Sequence, residues 1–534
     1  MALQRHNAQM DFSSVPSVSV PRSTFDRTHS YKTTFGSGYL TPVFVDEVLP
    51  GDTLKLEMVA FARLNTPLKP FMDNLYLNSF FFFVPNRLVW DNWRKFQGEQ
   101  DAGVLINSYL VPQLMTDVGF TVGDMGDFFG LPTGIANLSV NALPFRGYNL
   151  IYNHWFRDQN LIPLLSINTS DTSDTIASYP LQRRAKAHDY FTSCLPWPQK
   201  GYAVDLNIQG TAPVKCAPNT LFDALPFANP MKMVNILTGL PPNTTYPLNV
   251  AATSGNAYVG GTPGAVIMSV APSNLYTDLT NAVVTINSMR QAFQYQRLLE
   301  RDARGGTRYA EILKSHFGVS LPELLWRPEY LGGGRTPIVI SPVAQTSQSG
   351  TTPQANLAAI GTAGVHGHGF HSHSFTEHGF IIGMIQVDAD LTYWQGIERF
   401  WNRTTRFDYY MPVLQALGEQ AVLNQELYVQ SGVNAGYNLL PFGYQERWSE
   451  YRYKPSRITG QMRSSYATPL DSWHLAQNFV TLPVLGKTFI ESNTPIARVV
   501  AVPSAPEFNI DILHKYICVR PMPARSIPGM IDHF

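Results

Sequence analysis

SFFFFVPN, residues 79–86, is the stretch on which the fold turns. Successive strand side chains point to opposite faces, so four phenylalanines in a row need apolar cover on both sides. The run therefore reads as a strand buried on both faces and closed by Pro85-Asn86. Working outward, residues 54–62 alternate. Leu54, Leu56, Met58 and Ala60 point one way, Lys55 and Glu57 the other, after the turn signal Leu49-Pro50-Gly51-Asp52. At the far end, residues 512–519 form another β-like run, stopped by Pro521 and Pro523. Strands at both extremes of a long chain require its two ends to return to one sheet. Sandwiches of the Greek-key or jelly-roll type do this and carry their insertions in loops.

Composition narrows the function classes. The 39 Lys and Arg balance 39 Asp and Glu, which argues against a dedicated polyanion binder but not against one basic face on a neutral body. Only 15% of residues are charged, against about a quarter in ordinary chains, while 31 Phe and 25 Tyr make the chain rich in aromatics. Near-zero net charge removes the long-range repulsion between copies and suits self-assembly. Cys194, Cys216 and Cys518 have neither redox nor metal-ligand spacing, so a reducing cytoplasm is the expected setting for folding. The first residues carry no apolar leader region, and no run approaches the length of a membrane span, so a soluble protein is expected.

Residues 1–35 read as an extended N-terminal arm, with Arg5, Arg22, Arg27 and Lys32 among Ser, Pro and Val, needing a neighbour to order it. Residues 36–534 form the main domain with discontinuous insertions. Helices are few. One is expected from Ser288, where Ser288 and Gln291 form a capping box. It would bury Met289, Ala292, Phe293 and Leu299, pair Glu300 with Arg304, and stop at Gly305-Gly306. A second is expected over residues 307–316 with Gly318 as its stop. A third runs over 390–401, with Asp390 as N-cap and Trp394, Ile397 and Trp401 on one face. Residues 148–158 are a weaker helical stretch.

Two tracts, residues 233–277 and 336–376, contain no Asp, Glu, Lys or Arg. Each alone fits long irregular surface loops as well as the centre of a protein–protein contact. Both together in a neutral chain favour a subunit of an assembly. The second holds HGHGFHSHSFTEH, residues 366–378. Its His366, His368, His371 and His373 are candidate ligands for zinc or nickel, with His378 and Glu377 nearby. The spacing lacks HExxH and a helix to fix it, so no metal cofactor is assigned and a solvated loop is expected. Gly332-Gly333-Gly334 lacks the phosphate-loop frame, and no nucleophile elbow is present; the chain reads as a non-enzyme. The stretch from Arg447 to Arg457 alternates cations and rings. As a strand it would put Arg452, Lys454 and Arg457 on one side and Tyr451 and Tyr453 on the other. Single-stranded nucleic acid needs such phosphate-neutralising cations and stacking rings, although a subunit contact uses the same residue types.

Several long segments in order resemble the major capsid protein of microviruses, the gokushovirus branch in particular. They are FDRTHSYKTTFGSGYLTPVFVDEVLPGDTLKL (25–56), HDYFTSCLPWPQKG (188–201), ERDARGGTRYAEILKSHFGV (300–319), RPEYLGGG (327–334), SFTEHGFIIG (374–383) and FGYQERWSEYRYKPSRITG (442–460). The resemblance implies a mainly β fold, an eight-stranded jelly-roll viral capsid β-sandwich with long loop insertions and a few helices. It further implies a T=1 icosahedral shell of identical subunits, with pentamer and trimer contacts, around circular single-stranded DNA. The insertion at residues 203–285 corresponds by position to the family's protrusion at the three-fold axes, which meets a host surface receptor. The implied partners are an internal scaffolding protein and a DNA pilot protein, in a virion assembled in the bacterial host cytoplasm. Two other classes remain open from residues alone: a carbohydrate-binding or carbohydrate-active β-sandwich, and a cytosolic single-stranded nucleic-acid binder built on residues 447–457.

Overall fold

The computed structural model describes residues 21–100, 109–205, 284–348, 350–351 and 354–525, together with six short strands between 214 and 277. Its chain contacts separate two compact units, Gly201–Arg301 and the remainder. In the larger unit nine strands form one antiparallel sheet. They are β1 (Ser23–Asp26), β2 (His29–Phe35), β3 (Thr41–Val48), β4 (Thr53–Leu64), β5 (Leu75–Pro85), β6 (Glu329–Ala344), β7 (Leu357–Ser374), β8 (Gly379–Ala389) and β9 (Phe508–Arg520). Their order is β1-β9-β4-β7-β6-β5-β8-β3, with β2 also on β9. Counting β1 and β2 as one strand leaves eight, in two four-stranded halves. Strands first, eighth, third and sixth in sequence make one half; fifth, fourth, seventh and second make the other. That is the jelly-roll order expected, with each chain end returning to the same half.

The sheet curls until its ends meet. Arg27 of the β1–β2 connection pairs with Asp46 of β3, and the Tyr516 hydroxyl donates to the same carboxylate at 2.7 Å. Arg520 donates to Glu47 O at 2.6 Å, and His514 Nε2 lies 3.2 Å from Val43 O. Inside the curl Leu54, Leu56 and Met58 of β4 meet Phe81 and Phe83 of β5, Ile381 and Ile385 of β8, and Ile512 of β9. The other face of β5 and β8, with Phe82, Val84, Ile382 and Met384, is covered by Trp90 and by helix α1 (Leu143–Ile151) through Leu143, Phe145 and Tyr148. Both faces of the phenylalanine run are thus dry, as the sequence required. Beneath α1, Arg146 is fully buried, 2.7 Å from Asp174, and its other donors reach Val89 O, Ser170 O and Thr172 O.

Residues 23–35 of the expected arm are β1 and β2, ordered by the chain's own last strand; residues 1–20 lie outside the described part. Helix α1 starts five residues before the weak stretch at 148 and continues as a π turn over Tyr152–Phe156. Helix α2 (Ile286–Gly305) starts earlier than expected, because the Thr285 hydroxyl, not Ser288, accepts the orphan N–H, that of Ser288, at 3.1 Å. Met289 and Phe293 are not buried as expected; Phe293 is 66% exposed. Glu300 accepts from Gln296 at 2.8 Å, while Arg304 pairs with Glu419 instead of Glu300. Helix α3 (Tyr309–Phe317) ends at Gly318, whose φ of 72° is left-handed.

The expected helix over 390–401 is absent. There the backbone bonds sideways: Gln477 N to Thr392 O, Ile397 N to Gln425 O and Val429 N to Gln395 O. A Cβ on Gly396 would lie 2.0 Å from Glu426 O, so the segments approach closer than a helix would allow. The His-rich run is also no loop up to Ser374: residues 366–374 are the C-terminal part of β7, paired with β4. His368 is buried, with its two ring nitrogens 2.8 Å from Ser79 Oγ and 2.9 Å from Thr336 Oγ1. Its ring occupies the space left by Gly334, where a Cβ would come within 2.4 Å. The triple glycine thus serves close packing of β6. In the smaller unit, residues 214–216 pair with 275–277, 233–235 with 270–272, and 248–250 with 257–259, a nested antiparallel set. The insertion expected at 203–285 falls here, and most of it lies outside the described residues.

Candidate nucleic-acid interface

The basic–aromatic stretch does not continue as a strand. Its strand ends at Glu446, Trp448 takes a left-handed φ of 71°, and Ser449–Tyr451 form a single 3-10 turn. That reversal breaks the expected two-sided alternation. It carries Arg452, Lys454 and Arg457 to the rim of a cavity of about 780 Å³. Residues 393–403 supply the opposite wall, in the segment where a helix was expected.

Six cations line this cavity (Arg399, Arg403, Arg452, Lys454, Arg457 and Arg463) against three carboxylates (Glu398, Glu426 and Glu450). Lys454 and Arg457 share one partner, Glu398. Burial pushes the Glu398 carboxyl up, but the two cations outweigh it and hold it below its usual range. Arg452 pairs with Glu446 at 2.5 Å, outside the cavity. Deeper in, Arg399 Nη1 donates to Glu426 at 2.9 Å and to Ala421 O at 2.7 Å, while Tyr190 OH and Leu423 N also donate to Glu426. Burial raises the Glu426 carboxyl in spite of Arg399. Gln420 donates to Glu450 at 2.7 Å, and Arg403 lies 3.4 Å from the same carboxylate.

Aromatic rings stand between these charges. Phe400 and Trp401 pack together at 4.7 Å between centroids, and Trp401 is 69% exposed. Lys454 lies 5.1 Å from the Phe400 ring, and Arg403 lies 4.4 Å from the half-exposed Tyr451. Tyr453 turns inward and stacks on Tyr190 at 5.4 Å. The floor is therefore a fixed polar network and the rim an array of solvent-facing rings and cations. Exposed rings beside cations can stack bases while neutralising phosphates. Sequence reasoning found Arg452, Lys454 and Arg457 but not Glu398, Phe400 or Arg403. Their signal was Trp394 and Trp401, which the helical reading absorbed.

The histidines do not converge. His366 and His371 face solvent, His368 is held by its two hydroxyls, and His373 lies 3.4 Å from Glu329. Among the described residues no three His, Cys, Asp or Glu side chains gather closely enough to hold a metal ion. No described helix is long and apolar enough to cross a membrane.

The profile of the family described as "Capsid protein (F protein)" matches residues 13–530. The chain belongs to this phage capsid family. Relatives of the capsid family extend the match over whole chains. "Capsid protein VP1" of Bdellovibrio phage phiMH2K is 48% identical across 99% of both chains. The proteins of that name from Chlamydia phage 1 and Spiroplasma virus 4 are 42% and 36% identical, over 97% and 99% of each chain. The resemblance to microvirus capsid proteins read from the sequence is thereby established, and with it a structural protein of the virion that assembles into a shell.

Proposed function

We propose that this capsid subunit builds a T=1 icosahedral shell around circular single-stranded DNA, and that the cleft at residues 393–403 and 451–459 is where it touches the genome. The observation that carries the reading is the cleft rim: Lys454 and Arg457 over a shared carboxylate, beside the exposed rings of Phe400, Trp401 and Tyr451. Phosphates displace their counterions onto such cations, and any base stacks on such rings, so a packaged genome of any sequence is accommodated. The insertion at 203–285 is the part assigned to host attachment. Internal scaffolding and DNA pilot proteins are the expected assembly partners. A carbohydrate-active reading finds no free carboxylate pair here, because Glu398 is held by Lys454 and Arg457 and Glu426 by Arg399 and Tyr190.

The test is binding of fluorescent oligo-dT to purified subunit across a salt series. Salt-sensitive binding that weakens on K454E/R457E supports the reading. Binding that is absent, or indifferent to both salt and the substitutions, overturns it.

A further inference from the structure

Strands β6 and β7 outrun the sheet that holds them. β6 pairs with β5 as far as Ile338, opposite Leu75, yet its pairing with β7 continues from Val339–Thr362 to Ala344–Leu357. β7 meets β4 only from Thr362, opposite Arg63. The outer half of the hairpin is thus a two-stranded ribbon, and among the described residues no strand lies along either long edge. Lys69 Nζ, which donates to Leu357 O at 3.3 Å, touches one end of it. On one face Val339, Ser341 and Val343 stand opposite Thr362, Ile360 and Ala358. Val339 is 58% exposed and Val343 49%.

An open, apolar ribbon is normally guarded by lysines or other charges, because free edges recruit other chains. Here no formal charge occurs anywhere from residue 336 to residue 376. A two-stranded ribbon alone in water is also marginal and gains by being covered. The missing charge identifies the cover. Beside a rotation axis a side chain meets its own image, so a charge placed there would face its like. Recognition of a different protein ordinarily uses charges of opposite sign across the contact. These two strand segments offer none, and the nearest cations, Arg63 opposite Thr362 and Lys69 at Leu357, flank them. An uncharged small-apolar face is what copies of one chain tolerate at an axis.

We propose that residues 339–344 and 357–362 pack against the same hairpin of neighbouring copies around a rotation axis of the shell. The contact rests on the shell-subunit reading above and assigns that reading a specific surface. The variants V343D and V343K place like charges against one another at the axis, and the exposed position keeps both folded. Circular dichroism and thermal melting should match wild type. Particle yield, read by sedimentation, should fall at least tenfold for each variant alone. An equal mixture of the two should recover particles, because the introduced carboxylate of one copy then meets the introduced ammonium of another.

Either variant assembling alone like wild type overturns the proposal. So does a mixture that stays unassembled, since position 343 would then face something other than its own image. Wild-type protein that forms no particle would overturn the shell reading, and this contact with it, and is distinguished by failing before any substitution is made.

Discussion

The double substitution K454A/R457A gives the cleft its most quantitative test. In the folded chain both cations rest on Glu398, so the trio offers roughly one net positive charge to a ligand. Removing both leaves that carboxylate uncompensated at the rim. Each cation that neutralises a phosphate of single-stranded DNA contributes about 0.7 to the slope of log affinity against log salt. Losing two should make the slope shallower by about 1.4. Raising salt from 50 to 200 mM would then cost the variant about sevenfold less affinity than it costs wild type. Fluorescence anisotropy of labelled oligo-dT reads this directly. The substitution E398Q should act in the opposite sense, releasing both cations and tightening binding. An unchanged slope in K454A/R457A, or weaker binding in E398Q, would refute the placement of DNA at this rim.

Other outcomes follow from the same structure. Trp401→Ala should lower oligo-dT affinity by about 1–3 kcal/mol at every salt concentration, leaving the slope alone, because it removes a stacking surface and no charge. Phe81→Ala opens a cavity in the interior of the roll and should cost about 3–5 kcal/mol in urea unfolding of the subunit. Asp174→Ala strands the buried Arg146 and should cost about 3–5 kcal/mol in the same assay. Burial, with His29 adding to it, lowers His514 at the seam between β3 and β9 to about 4. The folded chain keeps this ring neutral while the unfolded chain protonates near pH 6.5, so its share of stability is intact above that pH. It drains away as pH falls from about 6.5 to about 4. The loss should be up to about 3 kcal/mol, and a pH series of urea melts on wild type and His514→Phe should show it only in wild type.

The roll was legible where a residue pattern had a single physical solution. Phe80 to Phe83 admit only a strand covered on both sides, and the alternation through Leu54, Leu56 and Met58 fixes which face of β4 turns inward. The pairing of the two chain ends was readable from Ile512 and its neighbours for the same reason. Helical spacing misled at Trp394, Ile397 and Trp401, apolar side chains three and four apart in an irregular segment whose Gly396 lies against Glu426. At the histidines, Gly and Ser suggested a loop. The cause was a strand packed so tightly on Gly334 that only hydroxyl partners, Ser79 and Thr336, reach the ring of His368. In the cleft the cations were visible, but their alignment was not. It depends on the left-handed turn at Trp448 and on Glu398 from a distant segment, and nothing in a local pattern brings those together.

Electron microscopy of the purified chain at high concentration tests the central claim most directly. Closed spherical particles of megadalton mass, built from this polypeptide, are the predicted result. Protein that remains monomeric under those conditions, with the outer hairpin of β6 and β7 open to solvent, would contradict it.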